Sequence, residues 1–286
     1  MKLNVALVLQ GGGTRGIYTS GALDFLLEKG AEFPLIIGVS CGALNGVNFV
    51  AGNKGRTKEI MLKYMKDPRF VSVPNFLIHG SLFNFKFMWE EMPKKLPFNQ
   101  KQYDESETRF LVGTTSLETG KPVFFEKGVC KDFKHAVAAS SSLPRITTKP
   151  VMVEGHPCLD GGPSCSIGFH KALEEGYVPL IICTREKGYR KAEQKPSTIK
   201  ACARLYKKYP AFVDTIRDWS KTYNKDMEEI DSLGESGKAF VLYPSIPVHI
   251  GIAERKKEKL EALYQQGYKD MEARFDELLE FLKRAE

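Results

Sequence analysis

Short apolar runs alternate with amphipathic stretches along the first third of the chain. Residues 3–9 are almost wholly apolar and end at a glycine cluster, the pattern of a strand buried on both faces. From Arg15 to Lys29 the period lengthens. Tyr18, Ala22, Phe25 and Leu26 fall on one helical stripe, and Gly30 supplies the stop. Phe33 to Ile37 is a second apolar run, followed by a small-residue helix over 41–51. This β-α-β-α opening predicts a parallel sheet covered by helices.

Residues 68–103 break the alternation. Prolines 68, 74, 93 and 97 punctuate Phe70, Phe76, Phe83, Phe85, Phe87 and Trp89, which predicts an irregular, aromatic-rich excursion. Such a segment either packs as core, the commoner fate of aromatic residues, or caps an apolar pocket. Strand patterns return at 109–115 and 122–126, then a helix over 131–139. Val151 and Val153 lead to Leu159-Asp160-Gly161-Gly162, followed by a helix over 165–175 and strands at 178–183 and 239–243. A helical, basic stretch, about 196–231, lies between the last two strands. At the C-terminus Leu260, Leu263, Tyr264, Tyr268, Met271, Phe275, Leu278 and Leu282 trace one apolar face, expected to break near Gly267. Acids and bases mix on its polar face, so it should dock on the body rather than lie on a membrane.

Composition narrows the class. Of 286 residues 42% are hydrophobic and 27% charged, which excludes wholesale disorder, collagen-like repeats and a disulfide-built miniprotein. The six cysteines are scattered without a CxxC pair, so neither a disulfide ladder nor a zinc site is expected. The first apolar run is short and lacks a cleavage site, and no later run reaches the roughly 18 residues of a spanning helix. A cytoplasmic, reduced protein is the expectation. The net charge of +7 suits approach to an anionic surface or substrate.

Chemistry concentrates at two strand-to-helix junctions. Gly11-Gly12-Gly13-Thr14-Arg15-Gly16 follows the first strand and satisfies G-x-G-x-x-G, so a nucleotide-binding module is one reading. That reading also needs an acid at the end of the second strand, and the nearest, Glu32, lies before that strand. What remains is a turn whose backbone N–H groups face negative charge beside a helix N-terminus. Gly38-Val39-Ser40-Cys41-Gly42 is a nucleophile elbow, G-x-S-x-G, presenting the Ser40 hydroxyl above the strand end. Gly11, Gly12, Gly13 and the Cys41 N–H together offer an oxyanion hole. Cys41 is a rival nucleophile by type, but its amide is the more useful part. A base could be one of five histidines (His79, His135, His156, His170, His249), none in a local catalytic motif, or Asp160 before its two glycines. An α/β-hydrolase-type triad therefore stays open beside a dyad.

Taken in order, Gly11–Gly16, Gly38–Gly42 and Asp160-Gly161-Gly162 resemble the three signatures of patatin-like phospholipases, and the C-terminal hundred residues resemble the bacterial members most. Ala138-Ala139-Ser140-Ser141-Ser142-Leu143-Pro144 is similar to the small-residue segment that precedes the family's aspartate, whereas Pro163-Ser164-Cys165-Ser166 departs from its pattern. The resemblance implies a three-layer α/β/α sandwich with a mainly parallel sheet. It implies residues 1–185 as catalytic core, with 186–286 completing the same body. It further implies a serine acyl-ester hydrolase acting on phospholipid, lysophospholipid or related esters, with Ser40 as nucleophile and Asp160 as base. Thr14, Arg15, Gly16, Gly38, Gly42, Gly161 and Gly162 would support the motifs, without metal or cofactor. Arg15 would contact an anionic head group, brace its loop or form a structural salt bridge. The partner expected is a lipid or acyl ester met in transient contact with a membrane surface; no nucleic acid is expected, because no recognition motif accompanies the basic charge.

Overall fold

The computed structural model describes residues 4–285; Leu3 of the expected first strand lies outside them. Strand β1 (Val5–Leu9) is wholly buried and passes through a 3-10 turn (Gly13–Arg15) into α1 (Gly16–Glu28). Strand β2 (Leu35–Val39) and helix α2 (Cys41–Val50) repeat the unit. Four short helices follow: α3 (Arg56–Glu59), α4 (Val73–His79), α5 (Met92–Lys95) and α6 (Gln100–Glu105). Then come β3 (Arg109–Ser116), β4 (Pro122–Glu126), α7 (Phe133–Ser140), β5 (Val151–Val153) and β6 (His156–Asp160). The remainder comprises α8 (Phe169–Glu174), β7 (Val178–Ile182), α9 (Pro196–Leu205), α10 (Pro210–Glu235), β8 (Phe240–Leu242), α11 (Lys257–Ala273) and α12 (Phe275–Arg284).

One sheet holds all eight strands, in the order β5-β6-β3-β2-β1-β7-β8, with β4 also paired to β3. The pairs from β3 across to β8 are parallel; the pairings of β4 and β6 with β3, and of β5 with β6, are antiparallel. Alternation along β1 divides the core. Val5, Leu7 and Leu9 face a cluster with α1, α2, α7, α11 and α12, through Ile17, Val47, Val137, Leu263 and Phe281. Ala6 and Val8 face the opposite cluster, where α8 and α10 contribute Phe169, Tyr223 and Met227. The architecture is the three-layer α/β/α sandwich with a mainly parallel sheet, and β8 puts the C-terminal segment in the same sheet as the motifs.

Several local expectations change. The aromatic excursion is not irregular: it folds into α4, α5 and π-helical turns (Ile60–Tyr64 just before it, Phe87–Glu91 within it) around a separate cluster of Tyr64, Phe70, Phe87 and Met88. The helix expected over 165–175 begins only at Phe169, because turns occupy the residues after Gly162. The basic stretch is two helices, divided before Pro210, whose ring and missing N–H suit a first helical turn and no other. The last helix does not break at Gly267. It continues to Ala273, and Gly267 lies against the α1 backbone: a Cβ there would come within 2.0 Å of the Tyr18 carbonyl oxygen. The glycine sets a close helix crossing rather than a stop, matched on α1 by Gly21.

Candidate active site

Strand β3 brings the two halves of the site together. Its first residues pair with β2 as far as Val39↔Gly113. On the same edge, β6 takes over at the next residue, with Thr114↔Asp160. The residue that follows β2, Ser40, and the last residue of β6, Asp160, therefore abut although 120 positions separate them. Ser40 Oγ donates to Asp160 Oδ2 at 2.7 Å. Ser40 has φ 56° and ψ −124°, an uncommon conformation for a residue other than glycine and that of a strained strand-to-helix elbow.

The strain is held by the small-residue segment at the end of α7. Ser40 N–H donates to Ser140 Oγ at 2.8 Å, and Ser140 Oγ–H donates to the Gly113 carbonyl at 2.6 Å. Ser141 Oγ–H donates to the Ser40 carbonyl, and Asp160 N–H to the Ser142 carbonyl. The second carboxylate oxygen of Asp160 accepts from Gly162 N–H at 2.8 Å, while Thr115 Oγ–H holds the Asp160 carbonyl. Both side chains are buried, Ser40 6% and Asp160 1% exposed. Burial pushes the Asp160 carboxyl up to about 7, against the pull of the Ser40 hydroxyl, the Gly162 N–H and the Lys191 charge.

The glycine turn stands beside this pair. Gly13, at φ 60°, packs so closely that a Cβ would meet the Ile252 carbonyl oxygen at 2.3 Å. Gly11 is the exception among the expected oxyanion donors: its N–H already donates to the Ser166 carbonyl at 3.1 Å, so it faces the fold and not the serine. Burial pushes the Cys41 thiol up to about 12, which disfavours the thiolate that a nucleophile needs. Thr14 is tied down through Gly251 and Glu254, Gly16 opens α1, Gly38 and Gly42 flank the elbow, and Gly161 follows β6.

Two cavities meet at Ser40. The larger, about 300 Å³, is apolar and runs from Ser40 between Leu44, Val47, Phe70, Met88 and Trp89. The aromatic segment is thus both a packed cluster and the wall of a pocket. The smaller, about 50 Å³, brings charged and aromatic side chains together: Asp160, Arg15, Arg185, Lys191, Trp219 and Tyr223 line it. Arg15 makes no salt bridge among the described residues, contrary to one expectation for it, and its Nε has no hydrogen-bond partner. No described histidine side chain lines either cavity: His135, His156, His170 and His249 lie on the surface, and the side chain of His79 lies outside the described residues. Glu32 sits at the opposite end of β2 from Ser40, so it cannot meet a ribose beside the glycine turn.

Residues 7–173 match the family described as patatin-like phospholipase. The chain belongs to this family. Membership supports lipid-ester hydrolysis as its chemistry. Residues 209–283 match a separate family, described only as a domain of unknown function, DUF6363. The uncharacterized protein YjjU of Escherichia coli (strain K12) is 24% identical over 252 residues, 86% of this chain and 70% of that protein. The lysophospholipase nte1 of Aspergillus terreus is 30% identical over 173 residues, which are 56% of this chain but a tenth (10%) of that protein. The cGAMP-activated phospholipase of Vibrio cholerae is 24% identical over 219 residues, 68% of this chain and 61% of its own length. The solved structure of VipD from Legionella pneumophila aligns at 12% identity and a TM-score of 0.45, over 100% of this chain and 67% of that one.

Gln10, Lys191, Trp219 and Tyr223 join the site without a sequence motif of their own. Gln10 ties the first turn to α10 and to the residues after β7 by bonds to Tyr223 Oη and Thr184. The neighbours of Lys191 are paired at the surface: Lys187 pairs with Glu235, and Arg190 approaches Asp231. Lys191 turns inward instead. No local signal distinguishes it, since its aromatic partners lie on a later helix.

Proposed function

We propose that this patatin-like protein is a serine acyl-ester hydrolase working through a Ser40–Asp160 dyad on phospholipid or lysophospholipid. The observation that carries the reading is the 2.7 Å hydrogen bond from Ser40 Oγ to Asp160, made on a strained elbow that lines an apolar cavity. In the forward step Ser40 Oγ attacks the ester carbonyl and Asp160, ionised, accepts its proton. The N–H groups of Gly12, Gly13 and Cys41 hold the oxyanion, aided by the dipole of α2. The proton returns to the leaving alcohol, and water, activated by Asp160, releases the acyl group from Ser40. A carboxylate is a weak base for a serine in water, so the dyad depends on positioning and on its dry site. Burial raises its basicity as well.

The names of the relatives, lysophospholipase and cGAMP-activated phospholipase, support a phospholipid-class substrate. The acyl chain would occupy the larger cavity. No helix among the described residues is long and apolar enough to cross a membrane. Val73, Leu77 and Ile78 on α4 are exposed, and that helix is anchored to Phe70 of the cavity wall through Asn75. They form the surface through which a lipid aggregate would be met.

A fluorophosphonate probe tests the nucleophile. The expected result is covalent labelling of Ser40, found by peptide mass, and none in Ser40→Ala. Loss of p-nitrophenyl ester hydrolysis in folded Ser40→Ala and Asp160→Ala is the matching kinetic result. Full activity in either variant would sink the dyad.

A further inference from the structure

The smaller cavity gathers positive charge without the acids that normally accompany it. Arg15, Arg185 and Lys191 line it together with Ser40 and Asp160. Among the described residues none of the three cations forms a salt bridge; Asp160, hydrogen-bonded to Ser40 and Gly162, is the one carboxylate in the lining. The Nε atoms of Arg15 and Arg185 are buried and unpartnered. Burial, then Arg15 and Arg185, depress the Lys191 ammonium to about 8 against the pull of Asp160, and Arg185 depresses Arg15 after burial. Like charges so placed repel, and an anion among them would relieve the repulsion and fill the vacant donor positions.

The C-terminal segment builds this arrangement. Trp219 and Tyr223, on α10, form the platform for Lys191, whose Nζ lies 4.4 Å and 5.1 Å from their ring centres. Asn224 fixes the residue itself, accepting from Lys191 N–H at 2.7 Å and donating to its carbonyl at 3.1 Å. Trp219 Nε1–H donates to Ser166 Oγ, and the Trp219 ring lies against Gly162, beside the Asp160 carboxylate. All three α10 residues fall within the 209–283 segment. At about 50 Å³ the cavity has room for a few water molecules or one tetrahedral oxyanion, and not for a bulky head group.

We propose that Lys191, Arg185 and Arg15 form a phosphate-binding subsite for a small anionic head group, and that the DUF6363 segment serves to assemble it. On the hydrolase reading of Ser40, this sets the scissile ester between an apolar acyl pocket and a cationic phosphate pocket. The substrate class is then a lysophospholipid whose phosphate carries little beyond it.

Trp219 is the reporter, and Trp89→Phe leaves it as the single tryptophan of the chain. In that background, glycerol 3-phosphate should change Trp219 emission saturably, and glycerol should not. Lys191→Met should weaken the binding about tenfold or more, and Lys191→Arg should restore part of it. Inorganic phosphate binding as well as glycerol 3-phosphate would mean that the free anion is a ligand; much weaker binding would mean that the lipid's phosphate is. Either supports the subsite. Kinetics give the second arm: the ratio of kcat/KM for lysophosphatidic acid to that for monoacylglycerol of the same chain should fall about tenfold in Lys191→Met. Glycerol 3-phosphate binding without ester hydrolysis would leave the subsite standing and remove the hydrolase reading. Hydrolysis of both lipids with no phosphate binding and an unchanged ratio would overturn the subsite alone.

Discussion

Ser140 holds Ser40 by its backbone: its hydroxyl accepts from the Ser40 N–H at 2.8 Å and donates to the Gly113 carbonyl at 2.6 Å. One buried hydroxyl thus links the elbow to β3, the strand whose edge also carries Asp160. Ser140→Ala leaves a buried donor and a buried acceptor unpaired, at a cost of about 1–3 kcal/mol. Urea unfolding should show that loss. Because the elbow is strained, kcat for a p-nitrophenyl ester should also fall, by about 10-fold to 100-fold. Wild-type stability and activity in Ser140→Ala would show that the elbow keeps its shape without this brace.

Asp160 gives the protein two opposed pH dependences. Its folded pKa of about 7 lies above the ordinary carboxylate value of 3.8, with burial as the first cause. Between those values the folded state holds a proton that the unfolded state has released. The contribution of this group to stability is therefore complete below pH 4 and is lost as pH rises through 7, an effect of about 4 kcal/mol. Asp160→Asn should consequently exceed the wild type in urea resistance at pH 8.5 and lose most of that advantage at pH 5. Activity runs the other way. The base works ionised, so kcat/KM for a soluble ester should rise with an apparent pKa near 7. A rate profile flat from pH 5 to 9 contradicts this assignment.

Local signals and long-range register account for what could be read from the sequence. The elbow at Gly38–Gly42 was legible because a strand end, a cramped turn and a helix start all lie within a few residues. Asp160 was legible only as an acid before two glycines; that it meets Ser40 depends on β6 continuing the edge that β2 leaves on β3, which no local pattern encodes. Gly267 was misread because a glycine that ends a helix and a glycine that admits a neighbouring helix look alike in one dimension. Gly11 was misjudged similarly: its motif position suggested a free N–H, and only the fold supplies the Ser166 carbonyl that occupies it. Lys191 stayed hidden in a run of surface charge, since Trp219 and Tyr223 reach it from another helix.

Gly267→Ala tests the helix crossing. The added methyl would overlap the Tyr18 carbonyl, backbone against backbone, so α1 and α11 must separate. A loss of about 1–3 kcal/mol in urea unfolding is expected. Lys269→Ala, on the same helix with its side chain toward solvent, should change stability by about 0.5 kcal/mol or less. Equal effects of the two substitutions would mean that the crossing tolerates a wider spacing.

The surface histidines separate a dyad from a triad. His135, His156 and His170 approach Asp132, Glu118 and Glu229 respectively, all at the surface and away from both cavities. Substituting each singly by Gln should leave kcat/KM for a p-nitrophenyl ester within about twofold of wild type, the scatter expected of surface changes. A triad member would instead lose about 10³-fold or more. A loss of that size at any of the three would replace Asp160 by that histidine as the direct base.

The larger cavity predicts how rate depends on chain length. Each methylene moved from water into apolar surroundings contributes about 0.8 kcal/mol, close to fourfold in kcat/KM when the transition state retains it. Along a series of p-nitrophenyl esters kcat/KM should climb by about that factor per carbon and level off once the space lined by Leu44, Val47 and Met88 is filled. Leu44 is partly exposed to that space and near the serine end, so Leu44→Trp should bring the plateau several carbons earlier while the shortest esters keep most of their rate. If the plateau stays in place, the chain does not run past Leu44. If acetate and butyrate esters lose rate as severely as long ones, the substitution has disturbed the elbow rather than shortened the pocket. The slope below the plateau distinguishes these cases, because it reports burial per carbon whatever the absolute rate.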